Sequence, residues 1–207
     1  FITSDFAQFP APLQKYRSQL DGRSMLVRKT VPLQAEFVVR GYLDGSAYKS
    51  YQFNHHINGM DLLAGLRQRS SFGVPLFTPT TKAVEGHDQG IDYAELGLLI
   101  GQKEAKIGRD YSLQLFTYAH NFVYDRGLAL SDTKFEFGVL PESGEIILID
   151  EVLTPDSSRY WLKETYTPEN NRAISLGTQY VRGYVESIGW DKNHPAPRLP
   201  DYVLEQP

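Results

Sequence analysis

The stretch SDTKFEFGVLPESGEIILIDEVLTPDSSRYW, residues 131–161, decides the fold. Its first part alternates: Asp132, Lys134 and Glu136 fall on one face of an extended strand, Thr133, Phe135 and Phe137 on the other. Its second part is apolar at Ile146, Ile147, Leu148 and Ile149, as suits a strand covered on both faces, and it closes on Asp150 and Glu151. PESG between them is turn chemistry. The reading is an antiparallel hairpin of strands 128–140 and 145–152. With a loop from Pro141 to Glu145 centred on Ser143, Glu136 lies opposite Asp150. Carboxylates facing each other repel unless a cation sits between them. Mg²⁺ favours one or two carboxylates together with substrate phosphates. The hairpin is therefore a candidate Mg-nucleotide site, provided the register does not slip by one residue.

Upstream the period changes. Ile107, Tyr111, Leu115, Tyr118 and Phe122 recur at steps of three and four, which predicts one face of a helix within 92–127, ending at Gly127. Residues 24–29 (SMLVRK) and 33–40 (LQAEFVVR) are predicted strands around Pro32. LDGSAYKSYQF, residues 43–53, reads as a turn into a short helix with Asp44 or Ser46 as N-cap. Residues 54–90, punctuated by Gly59, Gly65, Gly73, Pro75, Pro79 and Gly86, read mostly as loop. A helix is predicted around 169–188, and the proline-rich tail 192–207 is expected to run extended over the surface. Together these elements predict one α+β domain, 1–207, with a mostly antiparallel sheet and helices packed on it.

Lys and Arg number 21 against 25 Asp and Glu, a net charge of −4, which argues against a general nucleic-acid binder. No apolar run approaches the roughly 20 residues of a membrane span, and no secretory signal pattern follows Phe1. The absence of Cys excludes disulfides, thiolate metal sites and a cysteine nucleophile. His55, His56, His87, His120 and His194 lack metal-ligand spacing, although His87 beside Asp88 is placed to orient a ligand or cap a turn. There is no P-loop, no G-x-G-x-x-G and no G-x-S-x-G.

Three segments set a cation beside hydroxyls. LTPDSSRYW carries Arg159, whose guanidinium fork suits phosphate or carboxylate. FTPTTK ends in Lys82 after Thr78, Thr80 and Thr81. VVRGYLDGS ends a strand at Arg40 and puts Ser46 near a helix start, where free N–H groups attract phosphate. Each alone is better explained as turn chemistry or a structural salt bridge. Three around one acidic hairpin point to an anionic substrate.

VVRGYLDGSAYKSY, PLFTPTTKA followed by GHD, DTKFEFG and IDEVLTPDSSRYW, in that order over roughly 38–161, together resemble the SAICAR synthetase family; KYRSQLDGRSMLVRK and GWDK in the flanks are also similar. The resemblance implies an ATP-dependent ligase of de novo purine biosynthesis. Such an enzyme joins L-aspartate to the carboxylate of CAIR through an acyl phosphate, giving SAICAR, ADP and phosphate. It implies ATP and Mg²⁺ as cofactors, small-molecule partners, a cytoplasmic location, and neither nucleic acid nor membrane as partner. Carried over by motif, Glu136 and Asp150 hold Mg²⁺ and the ATP phosphates, and Asp132 and Lys134 face the reacting carboxyl and phosphoryl groups. Arg40, Ser46, Ser158 and Arg159 hold the ribotide, chiefly its phosphate, and Lys82 and Asp88 lie by the substrate loop. The family's ATP cleft lies between a smaller β-rich part and a larger α+β part, and this chain resembles mostly the larger: no GKVRD-like loop is found, and no final helix follows LPDYVLEQ. Two alternatives stay open, a small-molecule kinase and a truncated, non-catalytic homologue that binds a nucleotide or a partner.

Overall fold

The structure is a computed structural model describing residues 1–83, 88–169, 173–191 and 193–204. In chain order, α1 (Arg17–Leu20) precedes β1 (Val31–Pro32) and β2 (Ala35–Tyr42). Helix α2 (Gly45–Asn54) and a small hairpin, β3 (His56–Ile57) with β4 (Met60–Asp61), lead to β5 (Ser71–Phe77) and β6 (Thr80–Thr81). Helices α3 (Tyr93–Ile100) and α4 (Gln102–Tyr124) are followed by β7 (Leu128–Val139), β8 (Ile146–Asp150) and β9 (Ser158–Leu162), then α5 (Thr178–Ser187) and α6 (Asp201–Leu204).

Strand β7 is the spine of an antiparallel sheet of seven strands among the described residues. Along one edge β9 pairs with its first half and β8 with its second; along the other edge lie β2 and then β1. Strand β2 divides its outer edge in the same way, between β6 at Ala35 and Glu36 and β5 from Val39 onward. Val38 is opposite Lys134, so both outer edges change partner at one level of the sheet. The chain between successive partners leaves the sheet there. This is how an antiparallel sheet opens a polar site in its middle: the backbone pairing stops and side chains and loops take over.

One face of the sheet is apolar. Phe37, Val39, Phe135 and Phe137 pack there with Leu96, Ala105, Phe116 and Ala119 of α3 and α4. Asp92 caps α3 in a reciprocal box with Glu95, and Gly101, at φ 99°, turns the chain into α4. The buried side of α4 is Ala105, Gly108, Ser112, Phe116 and Ala119. The sequence pattern instead picked out Ile107, Tyr111, Leu115, Tyr118 and Phe122. Ile107 and Leu115 do border the core, but Tyr111, Tyr118 and Phe122 are exposed. Small residues face the sheet because the helix packs very close to it. A Cβ at Gly108 would lie 2.1 Å from the Phe37 ring.

Further expectations are corrected. Residues 24–29 form no strand; Leu26 alone bridges Thr3, and Met25 and Val27 are exposed, since no second strand runs alongside. Residues 54–90 keep their loop character over most of their length, as expected, but hold the short strands β3 to β6, with Gly59, Gly65, Gly73 and Pro75 in or between them. The register next to the turn is shifted by one residue from the expected one, with Val139 opposite Ile146 and Phe137 opposite Leu148. A bulge then adds a residue, and Glu136 faces Asp150 after all. Helix α5 begins at Thr178, later than the expected 169, and residues 170–172 lie outside the described residues. The tail ends its described part in the short α6; residues 192 and 205–207, and His87 within 84–87, also lie outside them.

Candidate functional site

Strand alternation puts Glu36, Val38 and Arg40 of β2 on the same face as Asp132, Lys134 and Glu136 of β7, opposite the apolar face. Cross-strand pairing then builds a row. Asp132 is flanked by Arg40 on β2 and by Arg159 on β9. Arg40 Nη1 donates to Asp132 Oδ2 at 3.0 Å, and Arg159 Nη1 meets the same oxygen. Both arginine bonds go to Oδ2, leaving Oδ1 with no hydrogen bond among the described residues. Arg40 also donates to Thr78 Oγ1 at 2.9 Å and to Ser46 Oγ at 3.2 Å. Burial presses the Arg40 pKa down, Asp132 opposes this, and the neighbouring Arg159 adds to it.

Helix α2 begins against this row. Asp44, not Ser46, is its cap, accepting from Gly45 N–H at 2.8 Å, so the Ser46 hydroxyl remains available to Arg40. Gly45, at φ 56°, lies so close to the Arg159 guanidinium that a Cβ would come within 2.4 Å of Nη2. Arg159 Nε is buried with no hydrogen-bond partner among the described residues. Two guanidiniums, a hydroxyl, an orphaned donor and a ten-residue helix's N-terminus thus converge, which is the chemistry of an oxyanion site.

One pair of residues along the strands lies a second cluster. Lys134 Nζ donates to Glu36 Oε1 at 2.6 Å and is 3.3 Å from Glu151 and 3.8 Å from Glu136. Lys82 Nζ meets Glu136 Oε2. Thr80, opposite Glu36 on β6, donates to Glu36 Oε2 at 3.2 Å. Desolvation pulls the Lys134 pKa down, but Glu36 and then Glu151 outweigh it, and the net shift is upward. The ammonium is held charged.

The linker from β8 to β9 is shaped for this cluster. Glu151 and Leu153 both adopt positive φ, 62° and 61°, uncommon for residues other than glycine. Ser157 Oγ donates to Glu151 O at 3.3 Å and Tyr160 Oη to Leu153 O at 2.9 Å, which fixes the two turns.

The residues singled out in the sequence come together except in one respect. Arg40, Ser46, Asp88, Asp132, Lys134, Ser158 and Arg159 line one cleft of about 380 Å³. Lys82 and Glu136 meet at its margin. Asp88 Oδ1 accepts from Ala83 N–H at 2.8 Å, and the Ser158 hydroxyl is shared with Thr133 at 2.8 Å. Asp150 is exposed at the end of β8 with Oδ1 turned onto Glu151 N–H, and Glu151, not Asp150, lines the cleft. Sequence reasoning missed Glu36, Gln179 and Arg182, which also line it. Glu36 was open to the parity argument that found Asp132, since it precedes Arg40 by four residues on one strand face. Gln179 and Arg182 lie on α5, and no local signal points that helix at the sheet.

The sequence profile of the SAICAR synthetase family matches residues 4–197. The chain is 42% identical over 206 residues to the phosphoribosylaminoimidazole-succinocarboxamide synthase of Geotalea uraniireducens, covering 99% of this chain and 69% of that protein. Among solved structures, the Saccharomyces cerevisiae SAICAR synthase complexed with SAICAR superposes with a TM-score of 0.79 at 31% identity, covering 99% of this chain and 68% of that one. A SAICAR synthetase in complex with ADP superposes with a TM-score of 0.59 at 26% identity, covering 74% of this chain and 57% of that one. The chain thus spans about two thirds of the length of the Geotalea uraniireducens and Saccharomyces cerevisiae proteins. Among the described residues no helix is long and apolar enough to cross a membrane.

Proposed function

The chain belongs to the SAICAR synthetase family, and from that premise we propose that its polar sheet face carries out an ATP-dependent ligation, joining L-aspartate to the carboxylate of CAIR to give SAICAR, ADP and phosphate. A carboxylate is a poor electrophile because its charge repels nucleophiles. In the first step a carboxylate oxygen of CAIR attacks the γ-phosphorus of ATP, the bond to ADP breaks, and an acyl phosphate forms. In the second, the aspartate amine attacks the acyl carbon, phosphate departs, and the amine gives up a proton. Both steps need positioning and charge neutralisation more than covalent help.

The residues take these roles. Arg40, Arg159 and Ser46 hold the ribotide phosphate over the start of α2, with Ser158 and Asp88 lining the same space. Lys134, held charged by its carboxylates, neutralises the transferring phosphoryl group. Asp132, fixed by two arginines, keeps Oδ1 toward the reacting groups. Glu136 and Asp150, opposite each other on β7 and β8, hold Mg²⁺, with Lys82 beside them. All-oxygen donors fit that hard cation, which when bound supplies charge neutralisation at the phosphates. The SAICAR complex of one neighbour and the ADP complex of another support a ribotide and a nucleotide as ligands.

The observation that carries this reading is the buried Arg40–Asp132–Arg159 row beside a lysine ringed by carboxylates. Burying so many charges costs stability unless they are paired, and a fold gains nothing from an orphaned guanidinium donor among them. The test is ADP release with ATP, Mg²⁺, CAIR and L-aspartate, each omitted in turn. ADP that requires CAIR and aspartate together, with a succinocarboxamide product, is the expected result. ADP from CAIR without aspartate would replace the ligase with a kinase.

A further inference from the structure

Helix α2 begins on a carboxylate, and that sets a problem for an anion site. Its cap, Asp44, is buried and lies at the helix end where the ribotide phosphate is placed. An aspartate there stabilises the helix by answering the positive end of its dipole. It also offsets the positive potential that an incoming phosphate needs. Burial presses the Arg40 pKa down and Asp44 is among the carboxylates that oppose this, so the field of Asp44 reaches the site. A serine or threonine caps a helix without bringing a charge. For this helix start to attract an anion, Asp44 must be neutralised from behind.

Arg69, on the connection between β4 and β5, does so. Its Nε is 3.5 Å from Asp44 Oδ2, and the two side chains are only 16% and 9% exposed. Asp44 Oδ1 accepts from Gly45 N–H at 2.8 Å and from Gln68 Nε2 at 2.7 Å. Both carboxylate oxygens therefore face donors. The rest of the guanidinium is anchored on the other side. Nη1 donates to Ala173 O at 2.6 Å and Nη2 to Ser175 Oγ at 3.2 Å, and the group lies 5.1 Å from the centre of the Trp161 ring. The backbone is tied to the same place. Arg69 N–H donates to Leu43 O at 2.6 Å, and Tyr166 Oη donates to Arg69 O at 2.9 Å. A side chain gripped at so many points keeps its charge in one position beside Asp44.

We propose that Arg69 is a positioning residue for the anionic substrate: by neutralising the Asp44 cap it leaves the start of α2 free to attract the ribotide phosphate beside Arg40, Ser46 and Arg159. This rests on the assignment of that helix start to the ribotide phosphate. In this role Arg69 touches no substrate and acts through Asp44 alone.

The test is calorimetric titration of CAIR into the full chain. Arg69→Met should weaken CAIR binding about tenfold, the order expected when a charge near the ligand loses its counter-charge. Arg69→Lys keeps the charge and should stay within about threefold of wild type. Asp44→Asn keeps an oxygen for the Gly45 N–H, and in the Arg69→Met background it should restore affinity to within about threefold of wild type. A purely structural brace would not be repaired by removing the charge of its partner. If Arg69→Met binds CAIR as wild type does, or if Asp44→Asn fails to restore what was lost, the neutralising role is overturned and the ribotide site stands. Should Arg69→Met not fold, Asp44→Asn alone decides. It removes a negative charge and leaves Arg69 in place, so it should bind CAIR more tightly than wild type, and equal or weaker binding overturns the proposal. If the wild-type chain binds no CAIR, the ribotide assignment itself falls and takes the proposal with it.

Discussion

Asp132 shows how one side chain organises the site. It sits between arginines on two neighbouring strands and is almost wholly buried. Removing its charge leaves both guanidiniums uncompensated. Asp132→Asn should therefore lower unfolding stability by about 3 kcal/mol, read from the urea midpoint, in addition to stopping turnover. An unchanged midpoint would mean that the row is not paired in solution. Arg40, Asp132 and Arg159 were each visible in the sequence as charged residues in promising segments. That the three meet was not, because Arg40 and Asp132 are 92 residues apart and only strand pairing joins them.

Helix α4 shows where a sequence pattern misleads. Its large apolar residues recur with helical spacing, and the eye follows them. The face that packs is the neighbouring one of Ala105, Gly108, Ser112, Phe116 and Ala119, because small side chains let the helix approach the sheet. Gly108→Ala makes the distinction measurable. Alanine favours a helix by roughly 1 kcal/mol over glycine, but here its Cβ would lie 2.1 Å from the fully buried Phe37 ring. Overpacking of that kind costs about 1–3 kcal/mol. The substitution should be net destabilising in thermal or urea unfolding, whereas a stabilising effect would show that the helix stands off from the sheet. The same logic applies to the β8 hairpin. Glu136 meets Asp150 through a one-residue register shift and a compensating bulge, so an expectation reached by simple counting holds for a reason that counting did not contain.

The whole molecule is a sheet that changes partner strands at one level and fills the opening with charge. Ligand binding should therefore be coupled to global stability. Mg²⁺-ADP at a hundred times its Kd should raise unfolding free energy by about 2.7 kcal/mol, seen as a higher melting temperature. No shift at saturating nucleotide would show that this sheet face alone does not hold it. What the sequence determined by itself was local: strand alternation, the hairpin, the capped helix, and the residue types suited to phosphate and Mg²⁺. Those follow from periodicity and side-chain chemistry, which act over a few residues. What only the tertiary structure decided was which charges neutralise which: Lys134 with Glu36, Lys82 with Glu136, Glu151 rather than Asp150 in the cleft, and α5 closing over them. Ion pairing falls off with distance in space and takes no account of distance along the chain, so these partnerships exist only once β2, β7 and β9 lie side by side.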